Sequence, residues 1–501
     1  MNPLYITFTL YLLCMIGIGV YTYFKTKTYS DYVLAGRKLG SWVSAISAQA
    51  SDFSGWILMG LPGAAYASGL GKSSLYICIF TAIGAMLNWK FVAKRIRIYT
   101  ETANNSLTIS SFLENRFHDN THVLKLVTSI FIILFFSGYV AAGFTSGGVL
   151  FETLFGIDFT TAVIVGAVVL VLYTFLGGFV AVTFTEMVQG IIMFTTLILT
   201  PILAITYAGG IDMVFDKIIA LNPDLLSATK VISYSAQDAS WTTTGSITVI
   251  TILSAIGWGI GYFGQPHILI RFMSIKDYRE IPKSKLIALS IGNVFPLYGT
   301  IIVGLVGLAY FNGVSSLSNP ETVFITLVKD LFNPWLAGFF LSAIMAAIMS
   351  TISSQLLVAG SAFAEDIYKG FIRTSAQDKE LMMVNRVAIL VIAGIGLYLA
   401  FNGGTILDMV GYAWSGFGAC FGPVILYALF WKKTTIKSAV AGIIVGGLTV
   451  ILWKYTGSEL FDVIPGFILA AIVIPIVALL DKPVDKKVMA EFDAVREKAM
   501  K

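Results

Sequence analysis

Charged side chains are scarce in this sequence. They make up 12% of the 501 residues, whereas 57% of the residues are hydrophobic and the mean hydropathy is +0.83. A soluble chain of this length needs far more polar surface to cover its core. The composition therefore excludes a water-soluble globular protein and indicates that most of the chain lies in lipid.

Metal-binding and redox-active residues are also few, with three cysteines and three histidines in the whole chain. The cysteines lie in or near apolar segments without metal-like spacing, so we interpret them as small core residues. The histidines are too few and too scattered for a haem or zinc site. No nucleotide-binding motif is visible either, and we do not expect an enzyme. The six residues are Cys14, Cys78, Cys420, His118, His122 and His267.

Long polar segments are missing as well. The longest, residues 94–121 and 209–242, are too short to form an independent core, so we predict one transmembrane domain over residues 1–501. The N-terminus enters an apolar segment within a few residues and lacks a basic start and a small-residue cleavage site. We therefore predict that this segment is a retained helix and not a signal peptide.

The rest of the chain is a series of long apolar segments. A helix needs ~20 apolar residues to cross a bilayer, and only helical bundles and closed barrels satisfy the backbone in lipid. Barrel strands would show short alternating segments, unlike the long runs seen here. We predict an all-α polytopic protein of the cell membrane with about thirteen transmembrane helices. The predicted spans are 4–24, 42–66, 73–93, 123–150, 159–178, 183–207, 243–267, 284–311, 335–364, 384–401, 405–431, 435–453 and 461–480.

The distribution of basic residues predicts the orientation. With thirteen spans the termini lie on opposite sides, and cytoplasmic segments carry the excess of Lys and Arg. If the N-terminus is outside, 28 of the 33 Lys and Arg residues fall in cytoplasmic segments, and Arg271 is one of these 28. We therefore predict the N-terminus outside and the C-terminus inside, and we attribute the net charge of +5 to topology and not to nucleic-acid binding. The five exceptions are Lys72, Lys217, Lys230, Lys329 and Lys454.

Two of the predicted spans are interrupted in corresponding ways. Residues 47–56 read Ser-Ala-Gln-Ala-Ser-Asp-Phe-Ser-Gly-Trp and lead to a proline, and residues 257–266 read Gly-Trp-Gly-Ile-Gly-Tyr-Phe-Gly-Gln-Pro. These spans are five apart, as expected for two five-helix repeats of inverted topology with a transport site at the breaks. Close helix packing through small residues is the alternative explanation.

Asp52 is the most informative single residue, because it lies near the middle of a predicted span with no basic residue nearby in its own helix. A carboxylate at this depth costs at least ~2.5–3.5 kcal/mol and needs a cation, a proton or hydrogen-bond donors. Two roles remain open and are compatible. The carboxylate either binds a cation or caps backbone amides at the helix break.

The ninth predicted span supplies hydroxyl groups. Ser350, Thr351, Ser353 and Ser354 cluster near one level of a helix face made of small residues. Hydroxyls and freed carbonyls suit a hard cation such as Na⁺ at little cost in charge. The alternative is that these hydroxyls donate to carbonyls of the preceding turn and bind no ligand.

At these residues the chain resembles the sodium:solute symporter family, and in particular its proline-transporting members. The resemblance implies a LeuT-type core of two inverted five-helix repeats, residues 42–207 and 243–431. One helix precedes this core and two follow it at 435–480, and we expect the tail, residues 482–501, to be a solvated helix. The resembling stretches are 47–63, 174–189, 257–273, 332–335, 342–358 and 411–423.

The resemblance also implies which residues form the site. Those implied to hold Na⁺ are the carbonyls of Ala50, Phe53 and Ala347 and the hydroxyls of Ser350 and Thr351, with Asp52 as the sodium-linked carboxylate. Those implied to form a proline pocket are Ser54, Gly55, Tyr139, Trp258, Tyr262 and Pro266. Arg37 and Ser47 match positions that act in coupling and gating.

A second sodium site is a further expectation from the resemblance. Glu186 stands where many members carry aspartate, an acidic position that in some relatives binds another Na⁺ together with serines equivalent to Ser353 and Ser354. The alternative is that Glu186 is solvated at a membrane boundary or paired with a loop arginine.

The implied function is sodium-coupled import of L-proline by alternating access, with Na⁺ as the coupling ion and a monomer in the lipid bilayer as the functional unit. We expect no nucleic-acid partner. A sodium symporter for another small solute, such as a sugar, a sialic acid or another carboxylate, stays open. A channel is also conceivable, although two broken helices around one carboxylate favour an occluding carrier.

Overall fold

The structure is a computed structural model that describes residues 2–23, 29–71, 74–311 and 317–500. Lys25, Lys27, Lys72 and Lys501, which enter the predicted distribution of basic residues, lie outside the described residues. The same holds for position 24 at the end of the first predicted span, position 73 at the start of the third and position 501 at the end of the predicted tail.

The first half of the chain is almost entirely helical. Its helices are α1 (Pro3–Tyr23), α2 (Tyr29–Leu34), α3 (Ser41–Asp52), α4 (Leu61–Ser68), α5 (Leu75–Leu87), α6 (Ala93–Thr102), α7 (Ile109–Phe117), α8 (Val123–Phe155), α9 (Phe159–Tyr207) and α10 (Ile211–Leu221). Short π-helical turns, Trp56–Gly60 and Asn88–Val92, lead into α4 and join α5 to α6. A two-stranded antiparallel hairpin follows α10, with β1 at Lys230–Ser235 and β2 at Ser240–Ser246.

The second half continues the helical pattern. Its helices are α11 (Val249–Ile260), α12 (Pro266–Met273), α13 (Ile281–Leu289), α14 (Phe295–Phe311), α15 (Val323–Leu331), α16 (Pro334–Ser361), α17 (Asp378–Ala400), α18 (Ile406–Phe430), α19 (Ile436–Trp453), α20 (Val463–Leu480) and α21 (Lys486–Met500). A π-helical segment, Ala362–Ile372, extends α16, and a 3₁₀ turn, Gly261–Gly264, separates α11 from α12.

The described residues contain 10 helices that are long and apolar enough to cross a membrane. This confirms the predicted class, an all-α polytopic membrane protein. The predicted spans 42–66, 159–178 and 243–267 are the ones outside this set, because their helices are short or broken. In α9 the backbone kinks at Gly178, whose φ of 72° is a conformation that favours glycine. The count of thirteen and the orientation stay predictions.

The hairpin corrects one predicted boundary. The span predicted over 243–267 begins instead at Val249, because residues 240–246 pair with β1. This strand is rich in serine and threonine, which suit a half-exposed strand better than a lipid-facing helix. The Trp241 indole donates a hydrogen bond to the Tyr66 carbonyl at 2.8 Å, so the hairpin holds the end of α4. We call this side of the molecule the hairpin face.

The opposite side carries the C-terminal helix, and we call it the tail face. Val488, Phe492 and Val495 of α21 are buried, and Glu491 lies 3.0 Å from the Nε2 of His118. The tail was predicted to be a solvated helix, and the structure shows a helix with one apolar face docked against α6. The spacing of these three residues, four and then three, places them on one side of a helix.

The centre of the bundle is α16. It packs against α1, α3, α8, α9 and α17, and every residue from 340 to 361 is buried. Small residues in this helix allow neighbouring backbones to approach closely, which is a common packing mode in membranes. Because residues 340–361 are buried on every side, this part of α16 is suited to line a transport site.

Candidate functional site

The two predicted helix breaks meet at the middle of the bundle. Helix α3 ends at Asp52, and the next residue, Phe53, adopts an extended backbone with φ −84° and ψ 93°. On the second helix Gln265 is extended, and Pro266 starts α12. Tyr262, which lies in the 3₁₀ turn between α11 and α12, donates its hydroxyl hydrogen to Oδ2 of Asp52 at 2.5 Å.

Asp52 is completely buried at this junction. Its Oδ1 has no hydrogen-bond partner among the residues that the structure describes. A buried carboxylate oxygen without a donor is costly in a low-dielectric interior. The group therefore has capacity for a further donor or a cation at this atom.

Oxygen atoms of α3 and α16 come together beside Asp52. The Ser350 hydroxyl lies 2.7 Å from the Ala50 carbonyl and 3.0 Å from the Ala347 carbonyl, and it donates to them. The Thr351 hydroxyl is buried and has no partner in the described part of the chain. The structure thus brings together three of the predicted sodium ligands and places Phe53 at the adjoining break. The hydrogen bond from Ser350 to the Ala347 carbonyl is the alternative considered for this span, in which a hydroxyl donates to the preceding helical turn.

An aromatic stack covers this junction on the hairpin face. The Trp258 ring lies 5.7 Å from Trp56, 6.1 Å from Trp414 and 5.6 Å from Phe461, measured between ring centroids. The Tyr262 ring meets Trp414 edge-on at 4.8 Å. Such stacked and edge-to-face pairs form rigid apolar walls.

Three of these aromatic residues were not among the residues predicted for the site. Trp56 lies in the resembling stretch 47–63. Trp414 lies in the resembling stretch 411–423, which was a usable signal. Phe461 follows a short loop before α20, and nothing in the sequence links it to Trp258. Gly261 lies directly beneath the Trp414 indole, and a Cβ there would overlap the ring.

The remaining residues predicted for the substrate pocket lie around the same junction. Ser54 and Tyr139 are buried, and the Tyr139 hydroxyl has no partner among the described residues. Gly55 is packed so closely on Ser146 of α8 that a Cβ would collide with that side chain. The sequence prediction thus grouped residues that the fold does place together, although their roles stay predictions.

A cavity of about 530 Å³ lies between the aromatic stack and the hairpin face, where α11 and α18 begin. Phe461 and Asp462 form part of its wall. Trp258 is the one residue of the predicted substrate pocket that lines the cavity.

Arg37 lies away from the junction, at the tail face. Its guanidinium donates to the carbonyls of Met273 and Ser106, each at 2.6 Å, and to Oδ1 of Asn105 at 2.7 Å. Burial lowers the pKa of Arg37 to about 10, so the side chain stays charged at neutral pH. The residue ties the end of α12 to the segment after α6, and its gating role stays a prediction.

Glu186 is fully buried and ion-paired. Its Oε1 accepts hydrogen bonds from the Arg271 guanidinium and from the Ser354 hydroxyl, each at 2.6 Å. Its Oε2 accepts a hydrogen bond from the Ser47 hydroxyl. Ser353 instead donates to the Ser350 carbonyl at 3.1 Å. The second sodium site stays a prediction, and its carboxylate already has a positively charged partner.

Arg271 requires a correction. The sequence analysis placed it in a cytoplasmic segment, because the predicted span ended at position 267. The structure places Arg271 inside α12 with no solvent exposure. The reason is the break at Gln265, after which a new helix continues to Met273 and carries Arg271 into the bundle.

Within the described residues, no group of three or more His, Cys, Asp or Glu side chains is arranged to hold a metal ion.

Comparison with known proteins identifies the family. The sequence model of the sodium:solute symporter family matches residues 32–446. The osmoregulated proline transporter OpuE of Bacillus subtilis is 45% identical, over 95% of this chain and 94% of that protein. The sodium/proline symporter of Escherichia coli is 44% identical, over 98% of this chain and 97% of that protein.

A solved structure shares the fold. A Na⁺-coupled sialic acid symporter in a substrate-bound outward-open state superposes with a TM-score of 0.78 at 22% identity, covering 97% of this chain and 99% of the other. At this identity the likeness concerns the fold alone. The two sequence relatives and the match over residues 32–446 identify the lineage, and the chain belongs to the sodium:solute symporter family.

Proposed function

We propose that this protein is a multi-pass symporter of the cell membrane that imports L-proline together with Na⁺ by alternating access. The observation that carries the proposal is the junction of two broken helices, where buried Asp52 lies beside the Ser350, Ala50 and Ala347 oxygens. Relatives named as proline transporters or symporters are 44–45% identical over nearly the whole chain, which supports proline as the solute.

We assign the sodium ion to the oxygen cluster between α3 and α16. Its ligands in this proposal are the carbonyls of Ala50, Phe53 and Ala347 and the hydroxyls of Ser350 and Thr351. The Ser350 hydrogen now directed at two carbonyls would turn away, so that its oxygen and both carbonyls face the ion. Asp52 supplies the negative charge that a desolvated Na⁺ requires at this depth.

We assign proline to the space between this cluster and the aromatic stack. Trp258 and Tyr262 present flat apolar surfaces that suit a pyrrolidine ring. The start of α12 at Pro266 directs the positive end of a helix dipole toward the junction, where it favours the substrate carboxylate. The Tyr139 and Ser54 hydroxyls are the neutral polar groups available to the substrate.

We propose that the two five-helix repeats span residues 42–207 and, with the corrected start at Val249, residues 249–431. The breaks after Asp52 and at Gln265 fall in the first helix of each repeat, as an inverted-repeat transporter requires. The N-terminus would then lie outside, the tail face would be cytoplasmic, and the cavity on the hairpin face would be the outer entrance. We propose the monomer as the functional unit, because the junction is built from one chain.

Sodium and voltage supply the driving force in this proposal. A tenfold sodium gradient contributes ~1.4 kcal/mol and a potential of 100 mV ~2.3 kcal/mol per charge. One Na⁺ per zwitterionic proline therefore supports accumulation of about 500-fold.

Uptake into proteoliposomes tests the function. We expect purified protein to concentrate radiolabelled proline when an inward sodium gradient is imposed, and unlabelled proline to compete where a sugar or a sialic acid does not. Equal accumulation in potassium-only buffer with a proton gradient would refute sodium coupling. Competition by sialic acid or a sugar in place of proline would refute the assigned solute.

A further inference from the structure

A buried ion pair links both proposed repeats on the tail side of the junction. The Arg271 and Glu186 side chains have no solvent exposure, and their charged atoms are 2.6 Å apart. The Ser47 and Ser354 hydroxyls both donate to the same carboxylate. We call Glu186, Ser47 and Ser354 the Glu186 cluster. It joins α3, the second half of α9 and α16, and Arg271 enters it from α12.

The cluster lies a short distance below the proposed sodium site. Ser47 precedes Asp52 by five residues, and Ser354 follows Ser350 by four. At 1.5 Å per helical residue, both serines are about 6–8 Å nearer the tail face than the sodium site. Arg271 is likewise five residues past the break at Pro266.

The chemistry of the Glu186 cluster is that of a cation site. One carboxylate and two hydroxyls in a dry interior are hard oxygen ligands, and a buried carboxylate needs a positive charge. In this chain that charge is a guanidinium. Arg271 is held in turn by the His267 carbonyl at 2.8 Å, and its guanidinium lies 5.1 Å from the centre of the Phe179 ring.

We propose that the Arg271 guanidinium is a tethered cation that fills the Glu186 cluster and thereby excludes a second sodium ion. The inference rests on the proposed function and sets its stoichiometry at one Na⁺ per proline. Arg271 is a positioning residue in this mechanism, because it acts through the carboxylate and does not touch the substrate. Removing its charge converts the cluster into a site for a free ion.

Sodium binding to the purified transporter tests this. We expect the unmodified protein to bind one radiolabelled Na⁺ per chain with a Hill coefficient near one. Arg271→Met, which keeps the length of the side chain but not its charge, should bind one more ion, and its Hill coefficient should rise toward two. The double variant Arg271→Met with Glu186→Gln should return to one ion, because the ligand carboxylate is gone.

The control variant is Arg271→Lys, which keeps a tethered charge and should bind the same number of ions as the unmodified protein. Equal ion numbers in the unmodified protein and Arg271→Met would overturn the proposal. Two ions bound by the unmodified protein would overturn it without any variant, so the test survives a variant that fails to fold. Failure of the proposed function would show itself differently, as the absence of sodium-dependent proline uptake. The difference of one bound ion between Arg271→Met and the unmodified protein could still be measured in that case.

Discussion

At the scale of single residues, Asp52 combines full burial with one carboxylate oxygen that lacks a donor in the described residues. Its other oxygen is held by Tyr262, and the Ser350 hydroxyl lies beside the neighbouring Ala50 carbonyl. The charge of Asp52 and the hydroxyl oxygen of Ser350 should therefore contribute separately to sodium binding. Single substitutions at the two positions measure each contribution.

Asp52→Asn should abolish sodium-driven accumulation. The amide keeps the shape of the side chain but removes the charge that offsets the desolvated cation, a loss of about 3 kcal/mol or 100-fold in sodium affinity. Initial uptake rates at increasing sodium concentration measure this. Asp158→Asn is the control, because Asp158 only caps the start of α9. If Asp52→Asn still reached half-maximal uptake at the sodium concentration of the unmodified protein, the proposed role of Asp52 would be contradicted.

Ser350→Ala should change the sodium dependence of uptake, whereas Trp258→Ala should change its proline dependence. Loss of one hydroxyl ligand costs about 1.5 kcal/mol, so the sodium concentration for half-maximal uptake should rise about tenfold in Ser350→Ala. Trp258→Ala should instead weaken proline binding, because it removes an aromatic wall. Ser361→Ala is the matched control, since its hydroxyl only donates to the Val358 carbonyl on the same helix. Proportional changes for sodium and proline in both variants would refute the division.

At the scale of secondary-structure elements, segments on the hairpin face hold the end of α4 and the start of α18. The hairpin holds α4 through Trp241, and Glu321 caps the start of α18, where its Oε1 accepts hydrogen bonds from the amides of Ile406 at 2.9 Å and Leu407 at 3.4 Å. Both contacts join elements far apart in the chain, and both are accessible to stability measurements.

Trp241→Ala should lower the free energy of unfolding by about 3 kcal/mol. The side chain is 8% exposed and packs edge-on against Tyr66 at 5.5 Å, so its loss leaves a cavity under the hairpin. Thermal unfolding in detergent measures the change. Trp335→Ala is the matched control, because that indole is 56% exposed. Equal effects of the two substitutions would show that the hairpin does not stabilise α4.

Glu321 should make stability depend on pH. Burial raises the pKa of this carboxyl from 4.5 to about 7, although the amides of Leu407 and Ile406 oppose the shift. A raised pKa means that the protonated form stabilises the fold, so the contribution is complete below about pH 4.5 and is lost as the pH rises through 7. The expected loss is on the order of 1–3 kcal/mol. In Glu321→Gln this part of the pH dependence should vanish, and an unchanged profile would contradict the assignment.

At the scale of the whole molecule, the hairpin and tail faces lie at opposite ends of the broken helices. The cavity reaches the aromatic stack from the hairpin face, whereas the Arg271–Glu186 pair closes the bundle on the tail side. In the proposed orientation, with the tail face cytoplasmic, release of proline to the cytoplasm would require the four helices around this ion pair to separate.

Cysteine labelling tests the orientation. Gln237 in the hairpin turn and Glu497 in α21 are both exposed. In a background without Cys14, Cys78 and Cys420, a membrane-impermeant maleimide should label Gln237→Cys on intact cells. It should label Glu497→Cys only after the cells are opened. The reverse pattern would invert the predicted topology. Labelling of both from outside would refute the seven spans predicted between the hairpin and the tail, because an odd number must place the two positions on opposite sides.

The sequence by itself determined the class of the molecule, and it predicted the residues of the candidate site. Long apolar segments leave the backbone no partner but itself in lipid, so helices follow from composition. The breaks were indicated by Gly55, three residues after Asp52, and by Gly264 and Pro266 in the second span. Proline lacks the amide hydrogen that a helix needs and interrupts helical hydrogen bonding locally. These signals depend on residues close together in the chain, so they can be recognised from the sequence alone.

The tertiary structure alone decided which distant groups meet. Phe461 reaches Trp258 across about 200 residues, and Arg271 pairs with Glu186 although its position in the sequence fits a loop equally well. The hairpin was likewise missed, because residues 230–242 were assigned to a polar segment and residues 243–246 to a span. Its strand pairing is accompanied by the packing of Trp241 on Tyr66, which lies far away in the sequence. Burial of a charge depends on where helices end and what packs beside them, and these long-range contacts leave no periodic trace in the sequence.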